Sequence, residues 1–175
     1  MKDVNLIGNS KSAVDFLGNE WHYDCMGCAI LKGEVKIPGG FICEGKYTIL
    51  GADPEIPIPG FLIVNVKRHV NSIAKLNKAE RYEIIDMVAG AERALKALNG
   101  AEDITIVQEE RAKHLHIWIF PNDTWMTERF GKGIPYLSDI CEYARENVTE
   151  AVIKEVLEVI EKLKLYFKEH PIDKM

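Results

Sequence analysis

Apolar and polar positions alternate most clearly in His114-Leu115-His116-Ile117-Trp118-Ile119-Phe120-Pro121. In an extended strand successive side chains face opposite ways, so His114, His116, Trp118 and Phe120 share one face and Leu115, Ile117 and Ile119 the other. Phe61-Leu62-Ile63-Val64-Asn65-Val66 is apolar on both faces and predicts a central strand, with His69 just past its end. Shorter strands are predicted at 40–43, 46–50 and 104–108, separated by Pro and Gly punctuation through residues 33–60. Four or five strands with so little chain between them favour antiparallel pairing.

The period changes after Asn77. Asn77 with Glu80 three residues later has the spacing of a capping box. Ile84, Ile85, Val88, Leu95 and Leu98 then recur at helical intervals as far as Asn99, and Gly100 marks the stop. Residues 135–145 predict another helix. A longer one over 150–168 carries Val152, Val156, Val159, Ile160, Leu163 and Phe167 on its apolar side, with Glu150–Lys154 and Glu158–Lys162 as ion pairs four apart. Residues 10–17 predict a short helix, and Trp21-His22-Tyr23 is expected to pack beneath the sheet. The Trp125-Met126 pair and Gly131-Lys132-Gly133 read as a surface loop, with a lid over the site as the alternative. The pattern as a whole is α+β: an antiparallel sheet of about five strands, one long central helix and C-terminal helices. A single domain over 1–175 is expected, its core at about 24–122 and a helical extension at about 135–170.

Composition narrows the function classes. The chain has 175 residues, 47% of them hydrophobic and 28% charged, as in ordinary globular proteins. The formal charge of −5 argues against a broad basic face for long nucleic acids, yet leaves room for a locally positive pocket. No secretory leader or membrane-length apolar run is evident, and four cysteines without a leader point to thiols or a metal site in a cytoplasmic protein.

Two features carry chemistry. The first is Cys25-Met26-Gly27-Cys28, which alone is ambiguous between metal binding, redox chemistry and small buried hydrophobes. Because the chain has no second CxxC, histidine must complete any tetrahedral site. His69 and His114 are the natural candidates, with Cys43 a rival third ligand. Cys141 is expected to be inert core, His22 a local packing residue and His170 a cation at a helix C-terminus. The second feature is His116, whose neutral imidazole can act as a nucleophile and should lose activity on the acid side.

The order CxxC, then Pro59-Gly60-Phe61-Leu62-Ile63-Val64-Asn65-Val66-Lys67-Arg68-His69, then a long helix, a strand and His114-x-His116-x-Trp118-x-Phe120-Pro121 resembles the histidine triad superfamily. The resemblance implies an antiparallel α+β domain, commonly a homodimer with its sheet continued across the two-fold. It implies a nucleotide phosphohydrolase or nucleotidyl transferase that works through a covalent nucleotidyl-histidine, with His116 as nucleophile. It further implies a structural zinc on Cys25, Cys28, His69 and His114. Asp53, seven positions before Gly60, takes the place of the residue that holds the ribose, although a turn-forming Asp before Pro54 is the plainer reading. Trp118 stands where the third histidine would be; it can donate an N–H but cannot carry a proton between groups. A Gly-x-Ser/Thr phosphate segment is absent, and Arg111 and Lys113 are the charges available in its place.

Overall fold

The computed structural model describes residues 11–110 and 112–172, so Arg111 lies outside the described residues. A five-stranded antiparallel sheet, with its strands in the spatial order 43–44, 48–52, 62–66, 116–121 and 104–107, forms the centre. Its strands are β3 (Cys43–Glu44), β4 (Thr48–Ala52), β5 (Leu62–Val66), β6 (Ile104–Val107) and β7 (His116–Pro121). A separate hairpin of β1 (Lys11–Val14) and β2 (Glu20–Tyr23) precedes it. The helices are α1 (Met26–Lys32), α2 (Lys78–Asn99), α3 (Thr124–Arg129), α4 (Leu137–Glu146) and α5 (Glu150–Glu169). None of them is long and apolar enough to cross a membrane.

Strand alternation gives the sheet two faces. Leu50, Ala52, Leu62, Val64, Val66, Leu115, Ile117 and Ile119 point into one core, against Ile84, Met87, Ala91 and Leu95 of α2 and Val156, Ile160 and Leu163 of α5. The intervening residues Ile49, Gly51, Ile63, Asn65, His116 and Trp118 face the other way and line a cavity. A second core holds Ile56, Ile58, Phe61, Phe120, Met126, Leu137, Ile140 and Cys141. The register pairs Asn65 with His116 and Ile63 with Trp118, which sets the last two beside the middle strand.

The long helix forms as its ends predict. Asn77 accepts from the Glu80 amide, the Glu80 carboxylate accepts from the Asn77 amide, and Gly100 closes the helix at φ 64° in the left-handed region. Glu80 also binds outside the helix, where its two oxygens accept from Arg68 Nε and Nη2 at 2.9 and 2.8 Å. The Arg68 guanidinium holds the Glu80 carboxyl down to about 2. The loop that carries His69 is thereby tied to the start of α2.

Several expectations are corrected. Residues 11–14 form a strand, not a helix. The buried Asp15 carboxylate accepts from the amides of Leu17 and Asn19, from Asn19 Nδ2 and from Trp21 Nε1, which closes a hairpin turn. Residues 26–32 form the helix α1, and its Ala29 and Ile30 pack with Val35 and Ile49 under Trp21 and Tyr23. Residues 124–129 are helical, with Met126 fully buried in the second core, so the Trp125-Met126 pair is neither a loose loop nor a lid over the site. Ile85 and Leu98 are 62% and 39% exposed because Met87, Ala91 and Ala94 take the inward positions of α2. On α5, Lys154 pairs with Glu158, not with Glu150. Trp21 and Tyr23 pack against the cluster that holds Ile49 of β4, whereas His22 between them is exposed beside Glu20.

Candidate functional site

Three separate elements converge at one end of the sheet. Cys25 is the N-cap of α1 and Cys28 lies in its first turn, so both thiols point past the helix start. His69 sits on the loop after β5, and His114 lies just before β7. The ligand atoms of Cys25, Cys28, His69 and His114 all lie within 4.8 Å of one another. Cys25 Sγ is 3.5 Å from Nδ1 of His69 and 3.5 Å from Nδ1 of His114. Cys28 Sγ is 3.1 and 3.6 Å from the same two atoms. A tetrahedral ion with bonds of about 2.3 Å to sulfur and about 2.05 Å to nitrogen separates S and N by about 3.6 Å. These four residues fit zinc.

The surroundings support that fit. His114 Nε2 donates to the Val66 carbonyl at 2.6 Å, which fixes the tautomer and aims the Nδ1 lone pair at the two sulfurs. Burial holds His114 below the usual imidazole range, so the ring is kept in its neutral, ligating form. Burial, and then the neighbouring Cys25, push the Cys28 thiol up. A cation between the sulfurs reverses that shift, because it stabilises the thiolates. Gly27 is the spacer that admits the His114 ring: a Cβ there would lie 2.5 Å from His114 Cγ. Gly27→Ala is therefore expected to weaken zinc binding by at least about tenfold, read by competition with a chromogenic chelator.

Cys43 takes no part. It is half-buried on β3, near Glu83 and Glu44, and burial raises its thiol. The antiparallel pairing of β3 places it on the far side of β4 from β5 and the His69 loop, which excludes it as a third ligand. Cys141 is buried on α4 with its thiol pushed up to about 11, in keeping with an inert core position. His170 closes α5, where Nδ1 donates to the Tyr166 carbonyl at 3.0 Å and the ring stacks on Tyr166.

His116 stands apart from the metal ligands and faces the cavity, whose volume is about 370 Å³. Its Nδ1–H donates to the backbone carbonyl of His114 at 3.0 Å. A carbonyl only accepts, so the proton is placed on Nδ1 and the Nε2 lone pair of the neutral ring is the one left for chemistry. His114 thus acts twice, with its ring among the metal ligands and its carbonyl orienting the neighbouring imidazole. Trp118, next on the same face, packs edge-on against Phe61 with ring centroids 5.2 Å apart, and 6.4 Å from His116. Lys11 and Lys113 bring positive charge to the cavity wall.

Asp53 also lines this cavity, though its Oδ1 is committed to the amides of Glu55 and Ile56 at 2.8 Å each. Burial raises its carboxyl to about 6, against the pull of those two amides. The folded state therefore favours the protonated form: the contribution is fully present below about pH 4 and is lost as the pH rises through about 6. Asp53→Asn is expected to flatten the melting temperature over that interval relative to the parent. At pH 7 to 8 it is expected to add up to about 3 kcal/mol of stability, measured by thermal denaturation across pH.

One feature of this region escapes sequence reasoning. Gln108 has a buried side-chain nitrogen without a hydrogen-bond partner among the described residues. It lies between Val107 and Glu109, which line a smaller cavity of about 150 Å³ that His116 and Trp118 also line.

Comparison with solved structures identifies the fold. A histidine triad nucleotide-binding protein from Sulfolobus tokodaii, described as hypothetical, superimposes with a TM-score of 0.60 at 16% identity, over 85% of this chain and 97% of that chain. A Hit-like protein involved in cell-cycle regulation from Bartonella henselae gives 0.59 at 17%, over 82% and 96%. The fold is that of the histidine triad proteins. A zinc-bound histidine triad family protein from Mycobacterium smegmatis gives 0.55 at 16% identity, over 81% of this chain and 96% of that chain. No protein-family model and no curated protein matches the sequence.

Proposed function

We propose that this protein is a nucleotide phosphohydrolase or nucleotidyl transferase that acts at an α-phosphorus through His116. The observation that carries the reading is the hydrogen bond from His116 Nδ1–H to the His114 carbonyl, which leaves Nε2 as the nucleophilic atom at a cavity wall. In the first displacement Nε2 forms a bond to phosphorus, and the bond from phosphorus to the leaving group breaks. In the second, water or another acceptor attacks phosphorus, the P–N bond breaks and neutral His116 is restored. Lys11 and Lys113 supply charge toward the phosphate, Trp118 offers an indole N–H, and Asp53 faces the sugar. Arg111 is a further candidate for the phosphate by its place in the sequence. A homodimer in the cytoplasm belongs to the same reading.

Zinc on Cys25, Cys28, His69 and His114 serves structure in this proposal. When bound, it cross-links α1, the loop after β5 and the start of β7, and so holds the His114 carbonyl under His116.

Trp118 favours one alternative, a protein that binds nucleotides without turning them over, since an indole cannot relay a proton to a leaving group. Incubation with adenosine 5′-phosphoramidate separates the two. The catalytic reading expects AMP release and an adenylylated peptide containing His116 after acid-free quenching and mass spectrometry. Nucleotide binding that raises the melting temperature without product would establish the alternative.

A further inference from the structure

A second concave surface lies away from His116 and shares no lining residue with its cavity. It has a volume of about 660 Å³ and forms where the β4–β5 loop, α3, the end of α4 and the start of α5 meet. Pro57, Pro59, Trp125 and Tyr143 line it, the two aromatic rings having centroids 5.8 Å apart. Trp125 is 38% exposed although it belongs to a helix whose next residue, Met126, is buried. Tryptophan and tyrosine are enriched where a surface anchors a partner.

The charges around this trough are unbalanced. Asp123, Glu128 and Glu155 line it, against a single guanidinium, Arg129. Arg129 is stacked over the Tyr143 ring, 4.2 Å from its centroid, with its charge directed at the ring face. Asp123 is the N-cap of α3, yet its side chain makes no capping hydrogen bond. Its carboxyl is raised by burial and by Glu155, as befits a desolvated anion beside a second anion. Aromatic and proline walls with an acidic edge complement an extended basic strand. In polyproline II every third residue returns to the same side, and the chain is already ordered before it docks.

We propose that this groove docks an extended, proline-containing segment of a partner protein, with an arginine or lysine side chain seated against Asp123 and Glu155 and its neighbours packed on Trp125. The probe is the capped hexapeptide Pro-Pro-Arg-Pro-Pro-Arg, fluorescently labelled, with Pro-Pro-Gln-Pro-Pro-Gln as its uncharged twin, both titrated by anisotropy. The arginine peptide is expected to bind saturably, at least about tenfold tighter than the glutamine peptide, and to weaken as salt rises from about 50 to about 300 mM. Asp123→Asn with Glu155→Gln, and separately Trp125→Ala, are each expected to weaken it at least about fivefold. Binding to the His116→Ala protein is expected to be unchanged, since the two cavities are separate. The proposal is overturned by an absence of saturable binding up to about 1 mM, by equal affinity for the two peptides, or by affinity indifferent to the groove substitutions. It is equally overturned if the His116 substitution abolishes binding, or if the groove substitutions instead dissolve a self-associated form of this chain.

Discussion

His116→Ala is expected to lower turnover of adenosine 5′-phosphoramidate by about 10⁴-fold or more. The melting temperature and zinc content of the variant should stay at their parental values. His116 is half-buried at a cavity wall, and its Nδ1 hydrogen bond runs to a carbonyl that the backbone of His114 already fixes. Removal of the ring therefore leaves no desolvated partner inside the core, so little stability is at stake. The chemistry, by contrast, has no second nucleophile beside it on β7: Trp118 is apolar apart from its N–H, and His114 is buried with its Nδ1 turned to the sulfurs. Steady-state release of AMP, together with a melting curve and elemental analysis of the same sample, checks all three quantities. Turnover within about tenfold of the parent would remove His116 from the mechanism.

Loss of the metal is expected to act in the opposite way, on stability first. Cys28→Ser, or extraction with a strong chelator, should lower the melting temperature by about 8–16 °C. The figure follows from a site saturated about 1,000-fold above its dissociation constant, which adds about 4 kcal/mol, at about 2–4 °C per kcal/mol for a chain of this size. The physical reason is cross-linking. Cys25 is 44 positions from His69 and 89 from His114, so an ion on these ligands closes two long loops at once. Without it, the buried His114 ring retains its bond to Val66, but the Cys28 thiol is left in the desolvated setting that pushes it up. Inductively coupled plasma analysis should return one zinc per chain for the parent and none for the variant. A parent that carries no zinc, or a melting curve indifferent to chelation, would refute the assignment.

The two experiments also separate the roles of neighbouring histidines. His116→Ala strikes chemistry and spares the metal; His114→Ala is expected to strike both, because its ring is a ligand and its carbonyl lies on the same short segment that orients His116. A metal-free protein that kept full turnover would show that the Val66 contact alone holds His114 in place.

Much of this was legible before any tertiary information. Strand periodicity alone separates His116 and Trp118 from Leu115, Ile117 and Ile119, since each side chain's face follows from its parity along the strand. The long helix was legible at both ends because capping is local chemistry: the Asn77–Glu80 pair and Gly100 act within a few residues of themselves. The metal ligands were legible by type, as two cysteines one helical turn apart and histidines at strand ends.

The rest needed the assembled molecule. Whether Cys43 or a histidine completes the ligand set depends on which strands adjoin, and sheet order is a long-range property. The fate of residues 11–14 turned on one buried carboxylate, Asp15, whose partners lie up to six positions away. Ile85 is exposed because Met87, Ala91 and Ala94 meet the sheet more closely, a choice made by packing and not by the apolar period. Local pattern is enough for the elements, for the face on which His116 lies and for the kinds of atom offered to a metal. Which four of those atoms meet, the hydrogen bond that the His114 carbonyl accepts from His116 and the acidic groove among α3, α4 and α5 all rest on contacts between segments that local periodicity does not encode.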